Sequence, residues 1–278
     1  MDKTLATPYQ LMNVSAAKQT EYNFAPLARF AARFRSTAPL TLYGTDAAEL
    51  RGIDPQRLKF YFTVKSLKEI YNSRFKLNKT QGVDRLNGIQ FERQSKQQIK
   101  IIHEKCLAGT YKFSPYLELL RSKGRGKLPR VLAVPTVRDR IVLYALKEIL
   151  IDVFSESIPR DLANTYIYKI TDFMRDKNPA SVGVFRADIE NFYDSIDREK
   201  LLAKLNLRIK SNKILTLIER AITSPIVPQG YKKVDLKKYS SVKGIPQGLS
   251  ISNILAAIYL AELDDFMRSN EGSMSPSE

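Results

Sequence analysis

Residues Val182–Asp197 read VGVFRADIENFYDSID, and the first half alternates as a strand does: Val184, Arg186 and Asp188 share one face, Phe185, Ala187 and Ile189 the other. The alternation puts the Asp188 carboxylate at a strand's end. Two aromatics follow, Phe192 and Tyr193, and then Asp197, placed to cap a helix running through Leu201, Leu202 and Leu205. A carboxylate fixed at such a point suits a hard divalent cation, because Mg²⁺ takes one or two carboxylate oxygens and completes its shell with water and phosphate. A strand-end Asp is also commonly a solvated or capping group. The rest of the chain decides between the two.

The deciding stretch is Gly244–Met267, GIPQGLSISNILAAIYLAELDDFM. Gly244, Pro246 and Gly248 specify a turn with Gln247 on it, and Ser250 is placed to cap a helix buried along Ile251, Leu255, Ile258, Tyr259 and Leu263. A strand, an Asp and two aromatics, followed later by Pro-Gln-Gly before an apolar helix, resembles the reverse transcriptase family in its first palm motif and its later PQG motif. A third stretch agrees. In Lys105–Leu150, seven basic residues lie between Arg121 and Arg140 (Arg121, Lys123, Arg125, Lys127, Arg130, Arg138, Arg140) against one acid, Asp139. Gly124 and Gly126 break any helix there, so KGRGK is expected to be a loop carrying its charges outward. LPRVLAVP then reads as a strand, and Thr136 with Asp139 starts a helix holding Ile141, Ala145 and Ile149. This strand-turn-helix resembles the fingers of group II intron and related enzymes, in which a basic hairpin covers the incoming triphosphate. By that resemblance Arg130 contacts triphosphate, assisted by Lys123 or Lys127; a solvated basic loop is the other reading.

Further upstream, KLNKTQGVDRLNG (residues 76–88) resembles the Gly-x-Asp element of group II intron enzymes, with Arg85 where those enzymes usually have a second glycine. Gly82 and Asp84 are expected to be structural. ANTYIYKIT lies where intron enzymes show a Gly-Phe-Arg segment, and Asn253 stands where they usually carry proline. The form QGLSISN is similar to that of phage-defence reverse transcriptases. Residues 200–243 hold eleven Lys or Arg against two acids, Glu219 and Asp235. The stripe Ile214, Leu217, Ile218, Ala221 and Ile222 predicts a helix that leaves Lys204, Arg208, Lys210, Lys213 and Arg220 mostly outward, either to touch phosphate backbone or to be solvated.

Composition narrows the class. A net charge of +16 over 278 residues points to a polyanionic partner, and 44% hydrophobic residues are ample for a core. One cysteine, Cys106, and one histidine, His103, exclude an intrachain disulfide and a His/Cys zinc cage. His103 lies in an amphipathic helical pattern and reads as structural. Neither a secretory leader nor a membrane-length apolar run is visible, which places the protein in the cytoplasm without a membrane partner. ARFAARFR (residues 28–35) is a basic amphipathic stretch of open role.

The resemblance implies an α+β right-hand fold: an N-terminal extension over 1–60, fingers over 61–180, a partial palm over 181–268 with a basic helical segment at 200–243, a disordered tail over 269–278, and no thumb. Asp188 would be the catalytic carboxylate binding Mg²⁺ (or Mn²⁺), helped by the Ile189 carbonyl. Tyr193 would stack under the sugar and exclude a 2′ hydroxyl, and Gln247 would line the nucleotide pocket. Arg121, Arg125, Lys210 and Lys213 would bind nucleic acid. Partners would be an RNA template, a DNA or protein primer and deoxynucleoside triphosphates. Reverse transcriptases complete the metal site with a later aromatic-x-Asp-Asp hairpin, which these residues lack; Asp264 and Asp265 read as helix-end residues, and Asp194 and Asp197 as structural. The expectation is therefore an antiviral-defence reverse transcriptase cut short or completed by a second chain. Its alternatives are a maturase-like RNA binder on the same fold and an untemplated or protein-primed polymerase.

Overall fold

The computed structural model describes residues 59–126, 128–158, 163–178, 181–182, 188–239 and 243–269. The expected strand over 182–189 falls almost wholly on 183–187, outside the described residues, as do Lys127, the 28–35 stretch and the tail. The chain divides into two compact units. Gly44–Ala261 forms one, and it contains both the expected fingers and most of the expected palm. Met1–Tyr43 with Glu262–Glu278 forms the other.

The larger unit is mixed α and β, with its core around a single helix. Helix α1 (Val64–Ile70) runs into a π-helical turn at Tyr71–Phe75, α2 (Gly88–Phe91) opens on an Asn87–Gln90 capping box, and α3 is Ser95–Ala108. Strands β1 (Tyr116–Arg121) and β2 (Arg130–Val134) form an antiparallel hairpin, with Arg121 opposite Arg130 at its loop end. Helix α4 (Val137–Val153) follows. Thr136 caps it by accepting from the Asp139 N–H, as the sequence predicts. Ile141, Val142, Ala145, Leu146, Ile149 and Leu150 are all buried, so α4 is apolar on nearly every side, and α1, α3 and a later helix pack around it. Helix α5 is Ala163–Arg175, and α6 is the single turn Phe192–Ser195.

Helix α7 (Arg198–Arg208) starts where Asp197 accepts from the N–H groups of Glu199 and Lys200, again as expected. Helix α8 (Asn212–Thr223) buries the stripe read from the sequence, Ile214, Leu217, Ile218, Ala221 and Ile222. It leads to a two-residue strand, β3 (Ile226–Val227), which adds parallel to β1 and gives the sheet order β2-β1-β3. Helix α9 (Ser252–Ser269) begins two residues beyond Ser250, since the buried Ser252 hydroxyl turns back to donate to the Pro246 carbonyl. Asp264 and Asp265 lie within it.

Of the five cations expected to face outward, Lys210 and Lys213 do, and Lys204, Arg208 and Arg220 do not. Lys204 is buried, and its ammonium donates to the Tyr259 carbonyl at 2.8 Å while lying over the Tyr259 ring. Arg208 donates to the Val153 carbonyl and pairs with Glu156. Arg220 donates to the carbonyls of Gly109 (2.8 Å) and Tyr111 (2.9 Å). Lys213 and Lys210 are exposed, yet Lys213 donates to the Leu107 carbonyl and Lys210 to that of Asn206. Helix α3 ends at Gly109 in a left-handed conformation, leaving carbonyls bare, and the cations of α8 satisfy them. Much of this basic segment therefore holds helices together.

The Gly-x-Asp element is structural, as expected. A Cβ on Gly82 would come within 2.7 Å of the Thr136 backbone, and Asp84 accepts from the Leu86 N–H. Arg140 on α4 reaches back to this loop, donating to Asn78 and to the Thr80 carbonyl. Burial raises the Asp84 pKa and lowers that of Arg140, so desolvation outweighs their mutual attraction in both. Arg85 has φ +57°, a left-handed conformation, at the very position where the resemblance places a second glycine. Arg85→Gly should therefore raise stability by about 0.5–1 kcal/mol, readable as a higher urea midpoint at unchanged m-value; a lower midpoint would mean that the arginine side chain contributes more than its backbone costs.

Candidate functional site

Three segments meet at the outer edge of the hairpin. The β2 edge that faces away from β1 would offer unpaired groups to solvent. Instead the Ala133 N–H donates to the Gln247 carbonyl at 2.7 Å, so the PQG turn covers that edge. Gly248 has φ +99°, and a Cβ there would sit 3.0 Å from the Ala133 carbonyl oxygen, which explains glycine at a turn pressed against a strand.

The same turn grips the Asp188 motif. The Ile245 N–H donates to the Tyr193 carbonyl at 2.9 Å, and Arg198 donates through Nε to the Gly244 carbonyl. Gly244 has φ +58°, and a Cβ on it would overlap the Tyr193 carbonyl oxygen and approach Asp194 Cα to 2.6 Å. Two penalties coincide here: left-handed strain and collision with backbone that cannot give way. Gly244→Ala should cost roughly 3 kcal/mol and lower the melting temperature by about 6–12 °C. Gly230→Ala is the control, with φ +82° but open space around the added Cβ, and should cost only about 1 kcal/mol. Equal losses in the two variants would show that the contact with Tyr193 contributes nothing.

At its other end the Tyr193 hydroxyl donates to Asn253 Oδ1 at 2.7 Å, on the first turn of α9. Phe192 leans on the Tyr193 ring at 5.7 Å between centroids. Burial raises the Tyr193 pKa, and the Arg130 guanidinium is near enough to pull it the other way. The hairpin, Tyr193 and Gln247, named separately from three motifs, are thus joined by backbone hydrogen bonds.

Asp188 and Ile189 are exposed and precede a turn in which Asn191 takes φ +47°. Among the described residues no group of three or more His, Cys, Asp or Glu side chains is close enough to hold a metal ion. The donor set fits Mg²⁺ only as one carboxylate and a carbonyl, with phosphate or further carboxylates supplying the rest. Arg121, Lys123, Arg125 and Arg130 are all exposed on the hairpin and its loop, with Gly124 and Gly126 at positive φ as the loop's turn requires. Of the other three basic residues of that run, Lys127 lies outside the described residues, and Arg138 and Arg140 turn inward. Arg138 lies 5.6 Å from the Tyr111 ring centroid, and Arg140 donates to the Pro135 carbonyl. His103 on α3 donates through Nδ1 to the Phe62 carbonyl at 2.7 Å, a structural bond. No described helix is long and apolar enough to cross a membrane.

Hairpin, Asp-aromatic-aromatic motif and PQG turn are joined in this way within one mixed α and β unit. The sequence matches the reverse transcriptase (RNA-dependent DNA polymerase) family over residues 122–274, more than half of the chain, and the chain belongs to that family. It is 28% identical over 178 residues to the group II intron-encoded protein LtrA of Lactococcus lactis subsp. cremoris, covering 62% of this chain and 28% of that protein. It is 27% identical over 200 residues to protein YkfC of Escherichia coli K12, covering 68% of this chain and 50% of the relative. With an uncharacterized 91 kDa protein in the cob intron of Schizosaccharomyces pombe it shares 32% identity over 167 residues, 56% of this chain and 19% of that one. The chain thus spans at most half the length of these relatives.

Sequence reading missed Asn253 as a partner of Tyr193 and the PQG turn as a cover for β2. The departure from the family's proline at Asn253 was the one available signal.

Proposed function

We propose that this chain forms the fingers and first part of the palm of an RNA-templated DNA polymerase of bacterial antiviral-defence type, with its remaining metal-binding carboxylates supplied from an aromatic-x-Asp-Asp segment outside these 278 residues. The observation that carries the reading is the joining of the basic hairpin, the Tyr193 motif and the PQG turn by the Ala133–Gln247 and Ile245–Tyr193 backbone bonds. In this reading Asp188, with the Ile189 carbonyl, holds Mg²⁺ or Mn²⁺. When bound, such an ion offsets negative charge on the triphosphate. Arg130 takes the triphosphate with Lys123 and Lys127 from the loop, and Arg121 and Arg125 steer the nucleic-acid backbone. Tyr193 forms the floor under the sugar and Gln247 lines the nucleotide pocket. Lys210 and Lys213 add backbone contacts at their exposed ammonium groups. The phage-defence assignment rests on QGLSISN and on the lack of a Gly-Phe-Arg segment. The protein works in the cytoplasm on RNA, with a DNA or protein primer.

A second reading, a maturase-like RNA binder, is supported by the exposed Arg121, Lys123, Arg125 and Arg130 on the hairpin and its loop, which suit an RNA backbone with or without catalysis. Primer extension separates the two. The chain, expressed with the polypeptide that carries the aromatic-x-Asp-Asp segment, is given Mg²⁺, deoxynucleotides and a primed RNA. Product that depends on template supports the polymerase. Product without template points to untemplated synthesis, and salt-sensitive RNA binding with no product points to the binder.

A further inference from the structure

We propose that Asn253 is a positioning residue for sugar selection, pinning the Tyr193 ring through its hydroxyl; this rests on the reading of Tyr193 as the floor of the nucleotide site. A ring that discriminates a single 2′ hydroxyl works only if it is held to within about half an ångström. Tyr193 is held from two sides by one segment. Its carbonyl is fixed by the Ile245 N–H and by the close approach of Gly244, and its phenol tip is fixed by Asn253 Oδ1 at 2.7 Å. The segment between those two grips is itself locked, because Ser252, one residue before Asn253, donates to the Pro246 carbonyl from a buried position. Backbone and tip thus share one rigid reference, which leaves the side chain little freedom about χ1. Proline at 253 would offer no side-chain acceptor, so the tyrosine hydroxyl and the asparagine form a matched pair. Asn253 is exposed, and its replacement leaves the α9 core residues Ile254, Leu255 and Ile258 untouched.

The test measures binding of dATP and ATP with Ca²⁺ to the chain assembled with the polypeptide that carries the aromatic-x-Asp-Asp segment, which needs no turnover. Asn253→Ala should reduce the preference for dATP over ATP by roughly three- to tenfold, the range of one lost hydrogen bond. Tyr193→Phe should match it, the double variant should add nothing further, and Asn253→Asp, which keeps an acceptor, should restore the preference. If Asn253→Ala keeps the preference while Tyr193→Ala abolishes it, the sugar floor stands and the positioning role falls. If Tyr193→Ala also keeps it, or if neither nucleotide binds, the floor itself falls and the proposal with it. A nucleotide-free measurement reads the pin directly: in protein labelled with 3-fluorotyrosine, the Tyr193 fluorine resonance should shift and broaden in Asn253→Ala. An unmoved resonance overturns the pin whatever the nucleotides do.

Discussion

Asp188→Ala should lower Mg²⁺-dependent DNA synthesis in the assembled polymerase at least about a thousandfold, because in the proposed reading it removes a metal-holding carboxylate and forfeits several kcal/mol of charge stabilisation in the transition state. The same change should leave folding within about 0.5 kcal/mol, since Asp188 is exposed and lies outside the buried core. RNA affinity should stay within about twofold, because counterion release depends on the cations of the hairpin and loop and not on this carboxylate. The three readouts together are diagnostic. Lost synthesis with intact folding and RNA binding assigns Asp188 to chemistry. Synthesis that survives moves the metal to other residues, and weakened RNA binding would make Asp188 part of the nucleic-acid surface. Extra Mg²⁺ or Mn²⁺ should rescue Asp188→Asn only in part, since the amide keeps one oxygen donor but not the charge.

Local signals in the sequence were reliable where the governing interaction is itself local. The cap of α4 is Thr136 on Asp139, three residues away, and that of α7 is Asp197 on Glu199 and Lys200. The hairpin has the strand read from LPRVLAVP and the glycine-turned loop read from KGRGK. The α8 stripe is the one a 3.6-residue period gives. Helical spacing failed for Lys204, Arg208 and Arg220 because it knows only the helix's own faces. Arg220 finds its acceptors at Gly109 and Tyr111, and Lys204 at Tyr259; a long chain separates each pair. A bare carbonyl at the end of another helix is invisible in a charge count, so residues counted toward RNA were partly employed as caps. The candidate site divides in the same way. Its three motifs were legible one by one. Their joining by the Gln247 and Tyr193 carbonyls was not, because any residue type offers a carbonyl and composition carries no trace of which one is used. Gly244 is the exception, since a residue without Cβ does mark the close approach.

Asp139→Ala should cost about 4 kcal/mol, the largest loss of stability expected from a single polar side chain here. Asp139 is fully buried and accepts from the Tyr111 hydroxyl (2.7 Å), the Thr136 hydroxyl (2.7 Å) and the Ser114 N–H (3.2 Å), which ties the start of α4 to the segment entering β1. Alanine leaves those donors buried and unanswered, and the root of the hairpin loses its anchor. Asp139→Asn should behave quite differently. The amide oxygen still accepts from Ser114 and Thr136, and the amide nitrogen donates to the Tyr111 oxygen, so the loss should stay within about 1 kcal/mol near neutral pH. The pH dependence separates charge from shape. Burial raises the Asp139 pKa, with the Thr136 and Tyr111 hydrogen bonds and the Arg138 charge opposing it only in part. A carboxyl whose folded pKa is raised contributes stability that is fully present below its unfolded value and is lost as pH climbs through the folded one. The wild-type chain should therefore lose ground to Asp139→Asn as pH rises from the unfolded value of about 3.9 to the raised folded value, and the difference should be constant beyond it. Urea titrations at several pH values read that difference. If the deficit of Asp139→Asn instead grows as pH rises, the charged carboxylate is itself the stabilising species, and Arg138, stacked on Tyr111, becomes the partner that makes it so.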